Sequence, residues 1–294
     1  MTGKKQLSET KGTDTDKYIR TNTSYSVPEY YKALTASIIN QPKGVLGIHH
    51  GLWGQETKTD MQANLRANNH LVKGCKITSE WRILDAGCGV GGTSIWLAQQ
   101  FGVKVVGLTN CESHVKLCTE HAGQEGVGHL VEFHYGDFMD LQFPDNSFDA
   151  VLSHETYCHA SDKVAFLQGV NRVLKPGRRW QCLDGFLTDK IFSESDEVIH
   201  DAMQQGWLTE PLQRWQDTLK SLELAGFVNI KEINLEAEVA PSTQKLYNTW
   251  KFFGSMFAPS GWAHQKFMDG VLNFHEGLQR GIFTYRLIVG TKPE

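Results

Sequence analysis

The sequence lacks several features that would assign it to a broad class at once. No apolar run approaches the roughly 20 residues that a membrane-spanning helix requires. The first residues, MTGKKQLSETKGTDTDKY, hold no apolar stretch that could act as a secretory signal. The six cysteines form no CxxC pair, and the histidines do not show the spacing of zinc ligands. We therefore expect a cytoplasmic protein with reduced thiols and neither a disulfide framework nor a bound metal.

A strong excess of charge of one sign is also missing. The 29 basic and 33 acidic residues leave a formal net charge of -4. This balance offers no electrostatic basis for binding nucleic acid or an anionic membrane surface. Hydrophobic residues make up 40% and charged residues 21% of the 294 positions, which is typical of a globular protein and excludes a mainly disordered chain. The length suits one large domain, or one domain with a substantial cap.

The composition changes along the chain and divides it into three parts. Residues 1–23 are polar and predict a flexible tail. Residues 24–80 are mostly helical in pattern, with aromatic side chains at intervals, and predict a helical lead that could fold over a site as a lid. Residues 81–294 predict the main domain, with cap helices around 188–225 and 239–281. No internal repeat is visible.

Apolar strand-like runs alternate with amphipathic helices from residue 81 onward. Because strands joined through helices form right-handed crossovers, this order indicates a parallel sheet. We predict an α/β fold with a Rossmann-like, doubly wound, mostly parallel seven-stranded sheet, a helical N-terminal lead and a helical cap inserted near the C-terminus. The seven predicted strands are RILDAG, VKVVGLTN, VEFHYGDF, FDAVLSHE, RWQCLDGFL, FVNIKEINLE and FTYRLIVGTK.

A glycine-rich turn follows the first predicted strand. Gly87, Gly89 and Gly92 fit the G-x-G-x-x-G pattern, which lets backbone approach an adenosine-bearing cofactor closely. Two details count against NAD. Asp85 would sit badly beside a pyrophosphate, and the second strand ends in Leu-Thr-Asn without the acid that usually holds a ribose diol. An NAD-dependent oxidoreductase is therefore the less favoured interpretation.

Further motifs extend this pattern into a resemblance. Over Trp81 to Leu187 the sequence resembles the class I S-adenosylmethionine-dependent methyltransferases. The resemblance rests on the glycine turn and on two further motifs, YGDFMDLQFPDNSFDAV and RVLKPG. A doubly wound domain whose glycines only make turns is the competing interpretation. The motifs LGIHHGLWG, VVGLTNCESHV and SHETYCHASD resemble the sterol, tocopherol and prenyl C-methyltransferases and the sarcosine/dimethylglycine N-methyltransferases. Two positions depart from that group: Arg178 follows Gly177 where a second glycine is usual, and His114 replaces the usual glutamine.

The resemblance implies S-adenosylmethionine as cofactor and assigns residues to it. It places Asp85 and two glycines at the methionine end, Thr109 and its neighbour at the ribose, and Asp137 and its neighbour at the adenine. Each assignment has an alternative without a cofactor. Asp85 could cap a helix or turn, Thr109 and Asn110 could form a turn, and Asp137 could be an ordinary solvated loop acid. The residues predicted to bind the cofactor are Tyr30, Trp53, Asp85, Gly87, Gly89, Thr109, Asn110, His114, Asp137, Phe138 and His154.

Glu155 and His159 are the predicted catalytic residues. Methyl transfer to carbon leaves a cation that a carboxylate can stabilise and that a carboxylate or imidazole can deprotonate. In a transfer to nitrogen, the same groups could orient or deprotonate an amine. The two residues are four positions apart, so one helical turn would bring them together. A surface ion pair without catalytic function is the alternative.

Aromatic residues are dense in the predicted cap between Tyr247 and Tyr285. Most of these rings are expected to form the core of the cap, with two or three facing an apolar acceptor. We predict methylation of a small molecule, first at a carbon of a terpenoid or prenylated metabolite. N-methylation of a small amine such as sarcosine or dimethylglycine, and a non-catalytic protein that binds S-adenosylmethionine, are the alternatives. Whether the chain forms a homo-oligomer stays open.

Overall fold

A computed structural model describes residues 26–38, 49–257 and 261–294, and the side chains of all of these except 36–38 and 253–257. The predicted tail, residues 1–23, lies outside the described residues. Within them, no helix has both the length and the apolar composition needed to cross a bilayer.

A seven-stranded mixed sheet forms the centre of the fold, in the order β3-β2-β1-β4-β5-β7-β6. β1 to β5 pair in parallel, whereas β7 runs antiparallel to both β5 and β6. This topology confirms the predicted Rossmann-like, mostly parallel sheet. The strands are β1 (Arg82–Ala86), β2 (Lys104–Thr109), β3 (Val131–Tyr135), β4 (Phe148–His154), β5 (Leu174–Leu187), β6 (Val228–Asn234) and β7 (Phe283–Thr291).

Nine helices are described, and they flank the sheet or lie over its carboxyl edge. They are α1 (Val27–Ile38), α2 (Asp60–Leu71), α3 (Gly92–Phe101), α4 (Glu112–Gln124), α5 (Lys163–Val173), α6 (Glu194–Trp207), α7 (Trp215–Leu224), α8 (Glu236–Phe257) and α9 (Trp262–Gln279). The helices α1, α6, α8 and α9 form a cap, in which α9 packs against the other three.

Two apolar layers bury the two faces of the sheet. Because successive residues of a strand point to opposite faces, Ile83 of β1 joins one layer and Leu84 joins the other. Leu97 of α3 packs in the first layer and Phe166 of α5 in the second. Burial on both faces is typical of parallel strands and leaves the strand ends as the place for a ligand.

The structure differs from the predicted elements in two places. Residues 188–225 were expected to be helical, but 208–214 interrupt them because Leu208 adopts a left-handed φ of 51° that ends α6. In the lead, residues 49–54 are not helical. Their backbone is held by the neighbouring helices, with Leu52 N–H donating to Ala63 O and Trp53 N–H to Glu238 O.

Candidate active site

One cavity of about 350 Å³ opens at the carboxyl edge of the sheet. The ends of β1, β2, β4 and β5 form its floor, and residues of α1, α6 and α9 cover it. All but two of the residues predicted for the site line this cavity. Those that do are Asp85, Gly87, Gly89, Thr109, Asn110, His114, Asp137, Phe138, His154, Glu155 and His159.

The glycine turn presents backbone to the cavity. Gly87 and Gly89 have φ values of 92° and 53°, a region that side chains with a Cβ rarely adopt. A Cβ on Gly89 would meet no atom within 4 Å, so this position leaves room for a ligand. A Cβ on Gly87 would lie 2.6 Å from the side chain of Thr156. Gly87 is therefore required by its positive φ and by its packing against Thr156.

Asp85 lies at the end of β1 and is buried. The Ser94 hydroxyl donates a 2.6 Å hydrogen bond to Asp85 Oδ2. Burial raises the pKa of Asp85 to about 6, and the hydrogen bond from Ser94 opposes that rise only in part. A cationic ligand group beside the carboxylate would restore its charged form, because opposite charges favour ionisation.

The end of the cavity formed by the loops after β2 and β3 carries smaller polar groups. Thr109 accepts a hydrogen bond from Cys111 N–H, and Asp137 accepts one from Met139 N–H, at 3.3 and 2.8 Å. Asp137 is exposed, and the Phe138 ring packs edge-on against Phe166. These contacts order the loops after β2 and β3 at the edge of the cavity.

His114 connects the sheet domain to the lead. A hydrogen bond of 2.7 Å joins His114 Nε2 on α4 to the Thr35 hydroxyl on α1. Burial lowers the pKa of His114, so the imidazole is neutral at neutral pH.

Glu155 follows β4 and adopts a left-handed φ of 51°. Its Oε1 accepts hydrogen bonds from His50 N–H at 2.8 Å and from the Tyr285 hydroxyl at 2.6 Å, and His50 Nδ1 lies 3.2 Å from the same oxygen. Burial alone would raise the pKa of Glu155, but the charge and the hydrogen bond of His50 oppose burial, and the pKa is lowered to about 2. The cavity therefore contains an ionised carboxylate.

His159 also faces the cavity, but it does not contact Glu155 in the way that was predicted. The short 3-10 turn Tyr157–His159 begins after Glu155, whose left-handed backbone prevents a helical i,i+4 pair. A 2.9 Å hydrogen bond instead joins His159 Nε2 to the Tyr31 hydroxyl of α1. Burial, with a smaller effect of the Lys163 charge, lowers the pKa of His159 to about 4. The alternative of a surface ion pair is also wrong, since both side chains line the cavity.

A stacked pair of imidazoles lies beside Glu155. The rings of His49 and His154 are 3.7 Å apart and inclined by 25°. Thr93 Oγ1 lies 3.3 Å from His154 Nδ1, and His154 Nε2 is buried without a hydrogen-bond partner among the described residues. Burial lowers the pKa of both histidines, that of His154 strongly, so both rings are neutral.

Tyr30 and Trp53, both predicted to bind the cofactor, lie outside the cavity. Tyr30 is buried in the cap against Trp262, on the side of α1 that faces α9. The Trp53 indole N–H donates to the Ser242 hydroxyl of α8 at 2.9 Å. Both side chains therefore attach the lead to the cap, while Tyr31 on the adjacent face of α1 reaches the cavity.

The site also contains residues that the prediction did not assign. His49 and His50 belong to the LGIHHGLWG motif, so their position in that motif was the available signal. Asp184 gave a weaker signal, as a lone acid inside the apolar strand RWQCLDGFL. Other apolar residues that line the cavity are Met203, Trp207 and Leu212, together with Phe267, Phe274 and Tyr285 from the aromatic stretch 247–285.

Comparison with known proteins finds a known domain and related enzymes. Residues 84–179 match the family described as a methyltransferase domain. Over 203 residues the chain is 37% identical to the sterol 24-C-methyltransferase of Aspergillus fumigatus, an alignment that covers 65% of this chain and 54% of that protein. Residues 84–179 thus form a methyltransferase domain, and the chain is similar to the class I S-adenosylmethionine-dependent methyltransferases. It spans about half the length of the first curated relatives that it matches.

Solved methyltransferase structures share the fold over most of the chain. A putative sarcosine dimethylglycine methyltransferase from Galdieria sulphuraria superposes with a TM-score of 0.76 at 21% identity, covering 90% of this chain and 98% of that one. A geranyl diphosphate methyltransferase in complex with GPP and sinefungin gives a TM-score of 0.73 at 17% identity, with the same coverages of 90% and 98%. At these identities the likeness concerns the fold, and the acceptor has to be argued from the site itself.

The cavity fits S-adenosylmethionine, the methyl donor of this family. The open space at Gly89 gives the ligand access to the backbone, and the raised pKa of Asp85 provides a carboxylate that an ammonium group would keep ionised. Asp137 and Phe138 would supply an acceptor for an exocyclic amine and a ring for a base. Among the described residues, no group of three or more His, Cys, Asp or Glu side chains is arranged to hold a metal ion.

Proposed function

We propose that the protein transfers a methyl group from S-adenosylmethionine to a carbon atom of an apolar, terpenoid-like small molecule. The observation that carries this proposal is the ionised Glu155, which lines the same cavity as the glycine turn and the aromatic residues of the cap. Trp207, Phe267 and Phe274 line the apolar end, where a hydrophobic acceptor would be held away from water. The identity with a sterol 24-C-methyltransferase supports the same class of acceptor.

The side chains around Glu155 suit a reaction that generates positive charge on carbon. The cofactor supplies an electrophilic methyl group, and its addition to an alkene carbon leaves a cation on the acceptor. Glu155 presents a fixed negative charge to that cation, and the hydrogen bonds from His50 and Tyr285 keep the carboxylate in place. Aromatic ring faces stabilise the same charge through their quadrupoles. The rings of His49 and His154 add no repulsion, because burial lowers their pKa and leaves them neutral.

The aromatic cap wall favours carbon over a small polar amine. An amino acid such as sarcosine carries a carboxylate, which would be repelled by the ionised Glu155 and by further acids that line the cavity, among them Asp184 and Glu210. A neutral isoprenoid meets no such repulsion and buries apolar surface against the cap.

Mass spectrometry with a deuterated methyl donor tests this proposal. The purified protein is incubated with labelled S-adenosylmethionine and, separately, with sterols, prenyl alcohols, prenyl diphosphates, sarcosine and dimethylglycine. We expect label on an uncharged isoprenoid, and carbon NMR of the product should show the new methyl bonded to carbon. Label on an amine alone would overturn the carbon assignment. Tight S-adenosylhomocysteine binding without label on any acceptor would indicate a protein that only binds the cofactor, and NAD binding in its place would indicate an oxidoreductase.

A further inference from the structure

Three adjacent strands bring Glu155, Asp184 and Tyr285 to the same wall of the cavity. Glu155 N–H donates to the carbonyl of Leu183, the residue before Asp184 on β5, at 2.8 Å. Tyr285 lies opposite Gly185 in the antiparallel pairing of β5 with β7, and its hydroxyl donates to Glu155. All three side chains line the cavity. Asp184 is thus a second carboxyl group beside Glu155, and the proposed function assigns stabilisation of the cation to Glu155.

Backbone donors hold the Asp184 carboxyl group in one orientation. Cys158 N–H donates to Oδ2 at 3.1 Å, and Gly185 N–H donates to Oδ1 at 2.8 Å. Each oxygen accepts one hydrogen bond, so each keeps a lone pair that can take a proton. The buried Lys163 fixes the loop on the other side, since its Nζ donates to the carbonyls of Tyr157 and Cys158.

The environments of the two carboxyl groups push their pKa values in opposite directions. Burial, and then the negative charge of Glu155, raise the pKa of Asp184 to about 7, although the backbone hydrogen bonds and Lys163 oppose this. The pKa of Glu155 is lowered to about 2. The ionisable groups around Asp184 are Cys182 on its own strand and, on neighbouring elements, Tyr31, Glu155, Tyr157, Cys158, Lys163 and Tyr285.

Methylation at carbon requires one group that stabilises the cation and one that removes a proton. The different pKa values of Glu155 and Asp184 suit each of them to one of these roles. A group that stays ionised stabilises a cation but is a weak base, whereas a base works best when its pKa is near the working pH. His159 was the predicted alternative, but its pKa of about 4 makes it a weak acceptor of protons.

We infer that Asp184 is the proton acceptor of the proposed reaction and acts beside Glu155. This inference rests on the proposed function. After the methyl–carbon bond forms, a C–H bond next to the cationic carbon breaks and its electron pair forms the new C=C bond. The proton goes to a carboxylate oxygen of Asp184 and returns to solvent after the product leaves. Glu155 keeps its charge throughout.

Kinetics of Asp184→Asn test the assignment. In the wild type, kcat should rise with pH through an ionisation near 7, because the base has to be unprotonated. The variant should lose this ionisation and fall in kcat by roughly 10²- to 10⁴-fold, while KM and S-adenosylhomocysteine affinity change little. Because the variant lacks the base, the cation should react in other ways and give new products. One such product is a methylated alcohol, formed when water adds to the cation. Asp149→Asn is the matched control, since Asp149 is a buried strand aspartate paired with Lys175 at the opposite end of β4.

A titration that needs no turnover keeps the inference testable should Asp184→Asn fail to fold. Carboxyl ¹³C NMR of the wild type bound to S-adenosylhomocysteine should show one buried aspartate titrating near pH 7. In Glu155→Gln that midpoint should move to lower pH, because the neighbouring negative charge is gone. A midpoint that does not move, or an Asp184→Asn variant with wild-type kcat and pH profile, would overturn the assignment. If no acceptor is methylated at carbon, the proposed function fails instead, whatever the titration shows.

Discussion

Replacing Glu155 by Gln removes one charge from the cavity while leaving its shape. The amide oxygen of Gln can still accept the hydrogen bonds from His50 N–H and the Tyr285 hydroxyl, so the backbone at this left-handed residue should stay in place. The carboxylate it replaces has a pKa of about 2 and is fully ionised at neutral pH. We therefore expect the variant to fold and to bind S-adenosylhomocysteine as the wild type does.

The expected loss of turnover follows from the electrostatics of the site. A unit positive charge about 4 Å from a carboxylate gains about 4 kcal/mol at an effective dielectric constant near 20. Removing one preorganised group from a developing charge costs about 10²- to 10³-fold in kcat in enzymes where this has been measured, which is roughly 3–4 kcal/mol. We expect Glu155→Gln to lower kcat by about 10²-fold or more on the acceptor that the labelling experiment identifies.

Initial rates and calorimetry measure the two quantities separately. Glu238→Gln is a suitable control, because Glu238 pairs with Arg66 at 2.6 Å outside the cavity and should leave kcat unchanged. Between about pH 5 and 9, no ionisation in the wild-type rate should belong to Glu155, given its pKa of about 2. Wild-type kcat in Glu155→Gln would refute the stabilising role of this carboxylate and move the chemistry elsewhere in the cavity.

Three further predictions concern the cofactor end and the stability of the fold. Gly87→Ala should lower the thermal unfolding temperature, because its Cβ would meet Thr156, whereas Gly89→Val should keep the fold but lose S-adenosylhomocysteine binding in calorimetry. Asp137→Ala should weaken that binding by about 1–3 kcal/mol, and unchanged affinity would remove its adenine role. His159 has a folded pKa of about 4 against an ordinary 6.5, so it stays neutral when folded. Stability from this residue should be complete above pH 6.5 and decline as pH falls toward 4, and His159→Gln should flatten that part of the denaturation curve.

Local sequence patterns predicted the fold and most of the residues that line the cavity at the strand ends. The apolar pattern predicts where the strands end. Three residues of the site lie at or next to such an end: Asp85, Thr109 and His154. Parallel strands place their carboxyl ends at one edge of the sheet, so residues that follow different strands meet there without knowledge of the tertiary structure. The positive φ of Gly89 is likewise a local property of the turn.

Tertiary packing alone decided the surroundings of Glu155. Tyr285 is 130 positions away in the sequence and His50 is 105 away, and both reach Oε1 only because β7 and the lead segment fold over the end of β4. The same holds for α1, where packing against α9 buries Tyr30 and leaves Tyr31 to face the cavity. The predicted helical pairing of Glu155 with its neighbour four residues on did not form. A left-handed backbone at Glu155 is stabilised by long-range hydrogen bonds that no local periodicity encodes.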